Sequence, residues 1–258
     1  MNKSDRILEI ENMLKEKGEI LTVDLADIFQ VSEMTIRRDI DYLCKHSNAI
    51  RTRGGVYMPF HNSENNEPSY LSRINEANFS KNKIAYMASK LIQAEDNIFI
   101  DSGTTTEGIL QNIASSGRHH NIVTNDIMVA YDSVKYDEVS IVLIGGDFRE
   151  NTLSTAGVTA ESQIRKYQFD IAFIGCNGID SNGNAYVGAS SEVGVKQSVI
   201  ESSVRNYILA DSSKLNKGGF IRFINLSKVT GVITDDEVDN QILEHFYNLG
   251  INVIVAKE

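Results

Sequence analysis

Ser32-Glu33-Met34-Thr35-Ile36-Arg37-Arg38-Asp39-Ile40 is the stretch that decides how the chain begins. A serine hydroxyl can accept the amide three residues on and so start a helix. Ile36, Ile40 and Leu43 then fall on one face, which sets a buried stripe. Glu33, Thr35, Arg37, Arg38 and Asp41 are left largely outward. A helix with one apolar face and two adjacent arginines on the other is built to pack on one side and meet phosphates and base edges on the other.

Reading backwards from Ser32, Gln30-Val31 makes a tight turn and Thr22 is expected to cap a helix over Val23–Phe29, with Leu25, Ile28 and Phe29 facing inward. Ile20-Leu21 fits a short strand, and Ile7, Ile10 and Leu14 recur at helical spacing before Gly18. Reading forwards, Ile50–Tyr57 with Gly54-Gly55 inside it fits a short hairpin, or wing. The pattern predicts a winged helix-turn-helix over residues 1–57. Its candidate DNA contacts are Ser32, Thr35, Arg37, Arg38, Arg51 and Arg53. The competing reading is a solvated face on which Arg37 pairs with Asp41, four residues on.

Pro59 and Pro68, the only prolines of the chain, bracket a polar run and mark a linker over 58–68. The remainder, 69–258, opens with a helical pattern over Tyr70–Ile92. Seven short runs rich in Ile and Val follow, at Asn97–Ile100, Asn121–Thr124, Ser140–Ile144, Asp170–Ile174, Tyr207–Ala210, Val229–Thr234 and Ile251–Val255. Polar helical stretches separate them, which predicts a mostly parallel sheet in an α/β domain.

The bulk numbers limit the classes of function. At 258 residues, 41% hydrophobic and 23% charged, the composition is that of a globular protein with room for two cores. No apolar run approaches the roughly 18 residues that span a bilayer. Cys44 and Cys176 share no metal-ligand spacing and fall in different predicted domains, which favours a reducing cytoplasm over a disulfide. The net charge of −10 argues against a nucleic-acid partner only if read globally. From Thr35 to Arg53 there are five basic residues against two acidic ones, and a DNA footprint is a local property.

A second candidate site follows the first of the seven runs. Ser102-Gly103-Thr104-Thr105 lies between the strand ending at Asp101 and a helix expected over Thr106–Ile113. Glycine permits a tight turn there, and hydroxyls with free amides make an anion site; the competing reading is an ordinary capped turn. Further polar groups fall where parallel strands should end: Thr124-Asn125-Asp126, Gly145-Gly146, Asn177-Gly178 and the run Ala210–Lys214. Glu192 and Lys196, four apart, can share one helix face.

Arg6, Ile10, Leu14, Ser32 and the run Thr35–Ile40 together resemble the N-terminal signature of the DeoR family of bacterial sugar-operon repressors. The later motifs (Asp101–Thr106, Gly145-Gly146, Gly175–Asp180, Glu192 with Lys196, and Ala210–Lys214) resemble the family's C-terminal sensor domain. The resemblance implies a sensor domain with the fold of ribose-5-phosphate isomerase and a phosphorylated sugar as effector. It implies that Asp101 bonds a sugar hydroxyl and that Gly103, Thr104, Thr105 and Thr106 hold the phosphate. Ser102, Asn125, Gly145, Gly146, Asn177 and Glu192 complete the expected site, with Lys196 and Lys214 adding positive charge.

The expected protein is thus a cytoplasmic homodimer or higher homo-oligomer that binds double-stranded operator DNA and needs no cofactor or metal. The alternatives are a sugar-phosphate isomerase-like enzyme with a DNA-binding appendage, and a regulator whose second domain only oligomerises. Against the enzyme, the isomerases read Asp-Gly-Ala-Asp-Glu-Ile-Asp where this chain reads Ile174-Gly175-Cys176-Asn177-Gly178-Ile179-Asp180, and only Glu192 stands as a substitute base. His119-His120 lacks a third ligand at a suitable spacing and reads as a loop.

Overall fold

A computed structural model describes residues 3–17, 19–47, 49–52, 54–57, 70–73 and 78–257. The chain divides into two compact units, 1–66 and 67–258. The expected linker over 58–68, Gly18 and Arg53 lie outside the described residues.

In the first unit, α1 (Lys3–Lys17), β1 (Glu19–Leu21), α2 (Thr22–Phe29) and α3 (Glu33–His46) are followed by β2 (Ile50–Arg51) and β3 (Gly55–Tyr57). β3 lies between β1 and β2 in a small antiparallel sheet. The core is Ile10 and Leu14 of α1, Leu25 of α2, the Ile36/Ile40/Leu43 stripe of α3, and Ile20 and Val56 from the sheet. Gly55 is needed where β3 crosses β1, because a Cβ there would stand 2.1 Å from the Ile20 carbonyl oxygen.

Two local expectations are corrected. Thr22 does not cap α2: it is the first helical residue, Leu21 holds the cap position without a side-chain bond, and the Thr22 amide donates to the Gly54 carbonyl at 2.8 Å. Ile28 does not face inward and is 51% exposed. The packed face of this short helix runs through Leu25, Ala26 and Phe29, and Ile28 lies beyond its edge.

The second unit opens with α4 (Tyr70–Arg73) and α5 (Asn78–Lys90). Both helices fall within the expected helical stretch over Tyr70–Ile92; residues 74–77 between them lie outside the described residues, and Leu91 and Ile92 fall beyond the end of α5. Then come β4 (Asn97–Ile100), α6 (Gly108–Ala114), β5 (His120–Thr124), α7 (Ile127–Ser133) and β6 (Val139–Leu143). A hairpin, β7 (Asp147–Arg149) and β8 (Ser154–Ala156), leads through α8 (Gly157–Ile164) to β9 (Phe169–Gly175). After β10 (Gly178–Ile179), β11 (Asn184–Val187), α9 (Ser190–Glu201) and β12 (Ser203–Leu209), the chain ends with β13 (Ile221–Asn225), β14 (Gly231–Asp235), α10 (Asn240–Asn248) and β15 (Val253–Ala256).

Every one of the seven apolar runs contributes a strand to one sheet, ordered β15-β14-β12-β9-β4-β5-β6 and parallel throughout. Its strands are buried because apolar clusters cover both faces. Phe99, Phe169 and Ile208 belong to one cluster, and Ile98, Ile100 and Phe173 to the other. The order carries the functional consequence. From β4 the chain moves outward to β5 and β6; from β9 it moves the opposite way to β12, β14 and β15. The direction reverses between neighbouring β4 and β9, and the crevice beyond their carboxyl ends is where such sheets take ligands. Beside this sheet, β10, β11 and β13 form a small antiparallel one that the sequence reading does not contain.

A capped recognition helix and a cleft at the sheet's switch point

On the first unit, the Ser32 hydroxyl accepts the Thr35 amide at 3.2 Å, and its oxygen lies 3.0 Å from the Thr35 hydroxyl, so α3 starts where the sequence places it. Arg37 and Arg38 are exposed. Arg37 pairs with Glu33 at 3.3 Å rather than with Asp41, which is engaged by Arg51. The two pairs are about half exposed, so each arginine can exchange its carboxylate for a phosphate at little cost. Arg38 has no ion-pair partner among the described residues. Asp39 belongs to a different part of the unit: it is buried and takes Arg6 Nε at 2.6 Å. Its charge is thus spent inside.

On the second unit, Asp101 follows β4 and its Oδ2 accepts the Gly175 amide of β9 at 3.0 Å, tying the two strands together at the switch point. The same oxygen accepts Lys196 Nζ from α9, and both side chains are almost wholly buried. Burial works against the lysine's charge, but the Asp101 and Glu192 carboxylates prevail and hold its pKa above the ordinary value. Glu192 lies 3.7 Å from Lys196 and 2.9 Å from Arg149.

Above this buried pair lies a cleft open to solvent, with about 390 Å³ of empty space when the open solvent at its mouth is included. The loop Ser102–Thr106 forms one wall, and Gly175, Cys176 and Asn177 face it. Glu192, Lys196 and Lys214 contribute charge. The expected helix over Thr106–Ile113 starts later, at Gly108, because the preceding residues turn back on themselves: the Glu107 amide and the Thr106 hydroxyl both donate to the Gly103 carbonyl, at 3.0 and 2.7 Å. Gly103 has φ of +152°, a conformation that side chains rarely adopt. The amides of Thr104, Thr105 and Thr106 donate to nothing among the described residues. Three successive unengaged amides with three hydroxyls beside them suit a tetrahedral anion.

Four residues of the expected site do not line the cleft. Asp101 lies beneath it, and its bonds to Gly175 and Lys196 turn its carboxylate inward. Asn125 is buried behind the loop, where its Oδ1 accepts the Ser102 amide at 3.1 Å and its Nδ2 donates to Thr155 at 3.0 Å. Gly145 is held by the Gln163 amide group, and Gly146 allows a close passage where a Cβ would come within 2.5 Å of the Ala156 carbonyl oxygen. These glycines serve packing against β8 and α8.

Sequence reasoning did not single out Arg149, Thr152 or Arg73, and it placed Asp126 among the polar groups at a strand end without giving it a role. Arg149 sits in a hairpin whose strands are too short to show a pattern, and its partner Glu192 is 43 positions away. Thr152 and Arg73 line the cleft from segments that carry no motif. Asp126 accepts the Gly103 amide at 3.1 Å and caps α7 through Met128 and Val129. Burial pushes its carboxyl up to about 7, against the downward pull of those three amides, with the Glu107 charge adding to the rise.

A carboxyl with a raised folded pKa is bound by a proton that the unfolded chain has already lost, so its stabilisation is present below the unfolded value near 4 and is lost as pH rises through 7. Urea midpoints at about pH 5 and about pH 8 are expected to show that loss, and a smaller one in Asp126→Asn. An identical change in both proteins would mean that Asp126 does not titrate in this range.

Comparison with known proteins agrees with both halves. Residues 6–60 match the DeoR-like helix-turn-helix domain and residues 76–236 the DeoR C-terminal sensor domain. The glycerol-3-phosphate regulon repressor of Escherichia coli K12 is 30% identical over 91% of this chain and 92% of its own length. The lactose phosphotransferase system repressor of Lactococcus lactis is 30% identical over 95% of this chain and 96% of its own. Among solved structures, ribose 5-phosphate isomerase A from Neisseria gonorrhoeae is 16% identical, covering 52% of each chain with a TM-score of 0.39. No helix among the described residues is long and apolar enough to cross a membrane. The chain belongs to the DeoR family.

Proposed function

We propose that this chain is a repressor of a sugar-catabolic operon that releases its operator when a phosphorylated sugar occupies the cleft. The observation that carries the reading is the loop Ser102–Thr106, which lines the cleft at the switch point of the parallel sheet and whose Thr104, Thr105 and Thr106 amides donate to nothing among the described residues. The relatives' names support it, since one regulates a glycerol-3-phosphate regulon and another a sugar phosphotransferase system. Operator DNA and effector favour different arrangements of the chain, so each weakens the other by the same factor. A two-helix reader of this type serves two half-sites, which calls for a homodimer or a larger homo-oligomer.

The cleft is proposed to bind without turnover. Aldose–ketose isomerisation needs a carboxylate that can take a proton. Asp180 is occupied by Asn184 and Tyr186, at 3.0 and 2.8 Å, and does not line the cleft. Glu192 does line it, but stands 2.9 Å from Arg149 and 3.7 Å from Lys196, so its oxygens already have cationic partners. Asn177 cannot accept a proton at neutral pH. Incubation with ribose 5-phosphate and hexose phosphates is expected to yield no ketose; steady turnover abolished by Glu192→Gln would overturn the sensor reading.

On the DNA side, Arg37→Ala and Arg38→Ala are each expected to weaken operator binding by about 1–3 kcal/mol while the fold persists, because both project away from the Ile36/Ile40/Leu43 stripe. Titration of labelled operator at fixed salt checks this. Unchanged affinity in both variants would place recognition on another surface.

A further inference from the structure

The parallel sheet of the second unit ends on β6 at one side and on β15 at the other, and the two edges differ. At β15 the Tyr247 hydroxyl donates to the outward Val253 carbonyl at 3.2 Å, and Lys257 follows the strand. A capped carbonyl and a lysine both discourage the addition of a further strand. β6 has neither device. No charged residue and no proline stands between Glu138 and Asp147, and the strand runs beside β5 without a bulge.

Backbone alternation fixes what β6 leaves open. The His120 amide donates to the Glu138 carbonyl at 2.9 Å, and the Ile144 amide to the Thr124 carbonyl at 2.8 Å. Glu138, Ser140, Val142 and Ile144 therefore face β5 with their peptide groups. The amides and carbonyls of Val139, Ile141 and Leu143 point the other way and have no partner among the described residues.

The surroundings are apolar. Val142 and Leu143 are exposed on the strand, and α7, which packs on β6, carries exposed Tyr131 and Val134. Phe148 is exposed on β7, the strand that follows. Tyr131 and Phe148 are 65% and 58% exposed. For side chains of about 150–250 Å² each, that leaves on the order of 250 Å² per copy, roughly a third of what each side of a standard interface buries. Val134, Val142, Leu143 and the strand's backbone add to it.

An edge of this kind takes a strand, and the strand that matches it is its own copy. Laid antiparallel about a two-fold axis, two uncharged β6 strands bring no like charges together, and the contact closes on itself instead of propagating. We propose that the second unit dimerises by pairing β6 with β6 across an axis at Ile141, which joins two seven-stranded sheets into one. Val139 then faces the partner's Leu143, and the outward peptide groups make about six bonds, two for each facing pair. The inference rests on the homo-oligomer proposed above and assigns its interface.

The test uses the full chain. Sedimentation equilibrium is expected to show a dimer or a multiple of it. Leu143→Pro removes one outward amide from each copy and none that β5 uses. It is expected to raise the dimer dissociation constant about tenfold or more, with circular dichroism checking the fold. The register has its own readout. Ser140 lies opposite the partner's Val142 at a position where paired Cα atoms stand about 4.5 Å apart, within disulfide reach. Oxidised Ser140→Cys/Val142→Cys is therefore expected to run as a covalent dimer on a non-reducing gel. Each single variant, and the parent with Cys44 and Cys176, is expected to run as a single chain. Should Leu143→Pro lose the fold, the cross-link alone decides. A parent dimer that Leu143→Pro leaves intact and the double variant does not cross-link would place the interface elsewhere while the homo-oligomer stands. A parent chain that sediments as a monomer would overturn both.

Discussion

Lys196→Met is expected to destabilise the sensor unit by about 3–5 kcal/mol, because removing one partner of a buried ion pair strands the other. Asp101 is 1% exposed and cannot recover water when the ammonium is gone. It keeps the Gly175 amide, which is a partner for one oxygen but not a counter-charge. The double variant Asp101→Asn/Lys196→Met should regain most of the loss, since a neutral pair of similar volume carries no desolvation penalty. Urea unfolding followed by circular dichroism suits a chain without tryptophan. A loss below about 1 kcal/mol in the single variant would mean that the pair is wet and that the strand ends at the switch point are held by something else.

The second large effect belongs to the DNA-binding unit. Arg6→Met removes the buried partner of Asp39, and a unit this small has little stability to spare. The expected result is loss of DNA binding through unfolding of this unit, with the sensor unit's melting unchanged. Asp39→Asn separates this account from a direct phosphate contact by Arg6. Deleting an acidic residue should strengthen binding if charge alone matters, and should weaken it if the Arg6–Asp39 pair holds α1 against α3. Tighter binding by Asp39→Asn would contradict the structural role.

These cases show what the sequence makes legible. The stripe Ile36/Ile40/Leu43 and the seven Ile- and Val-rich runs are local patterns, and each became the element its period implies. Arg6 and Asp39 were both visible in the signature, but their contact spans 33 positions, and no period links them. The same holds for Arg149 with Glu192 and for Arg73 at the cleft. Gly145-Gly146 resembled a ligand loop because glycine pairs serve close packing and ligand approach alike; the sequence does not say which backbone comes near. The α6 start moved from Thr106 to Gly108 because loop hydroxyls and carbonyls satisfy one another first, a competition that propensity does not weigh.

The central claim is that DNA and a phosphorylated sugar compete through one chain, and reciprocal titration tests it directly. Anisotropy of labelled operator is measured with and without saturating sugar phosphate, and calorimetry of the sugar phosphate with and without operator. The account predicts that each ligand weakens the other by one and the same factor, between about 5 and 150, and that Thr105→Val, altered at the cleft wall, binds operator normally but shows no coupling. Operator affinity that stays constant at saturating sugar phosphate would contradict it.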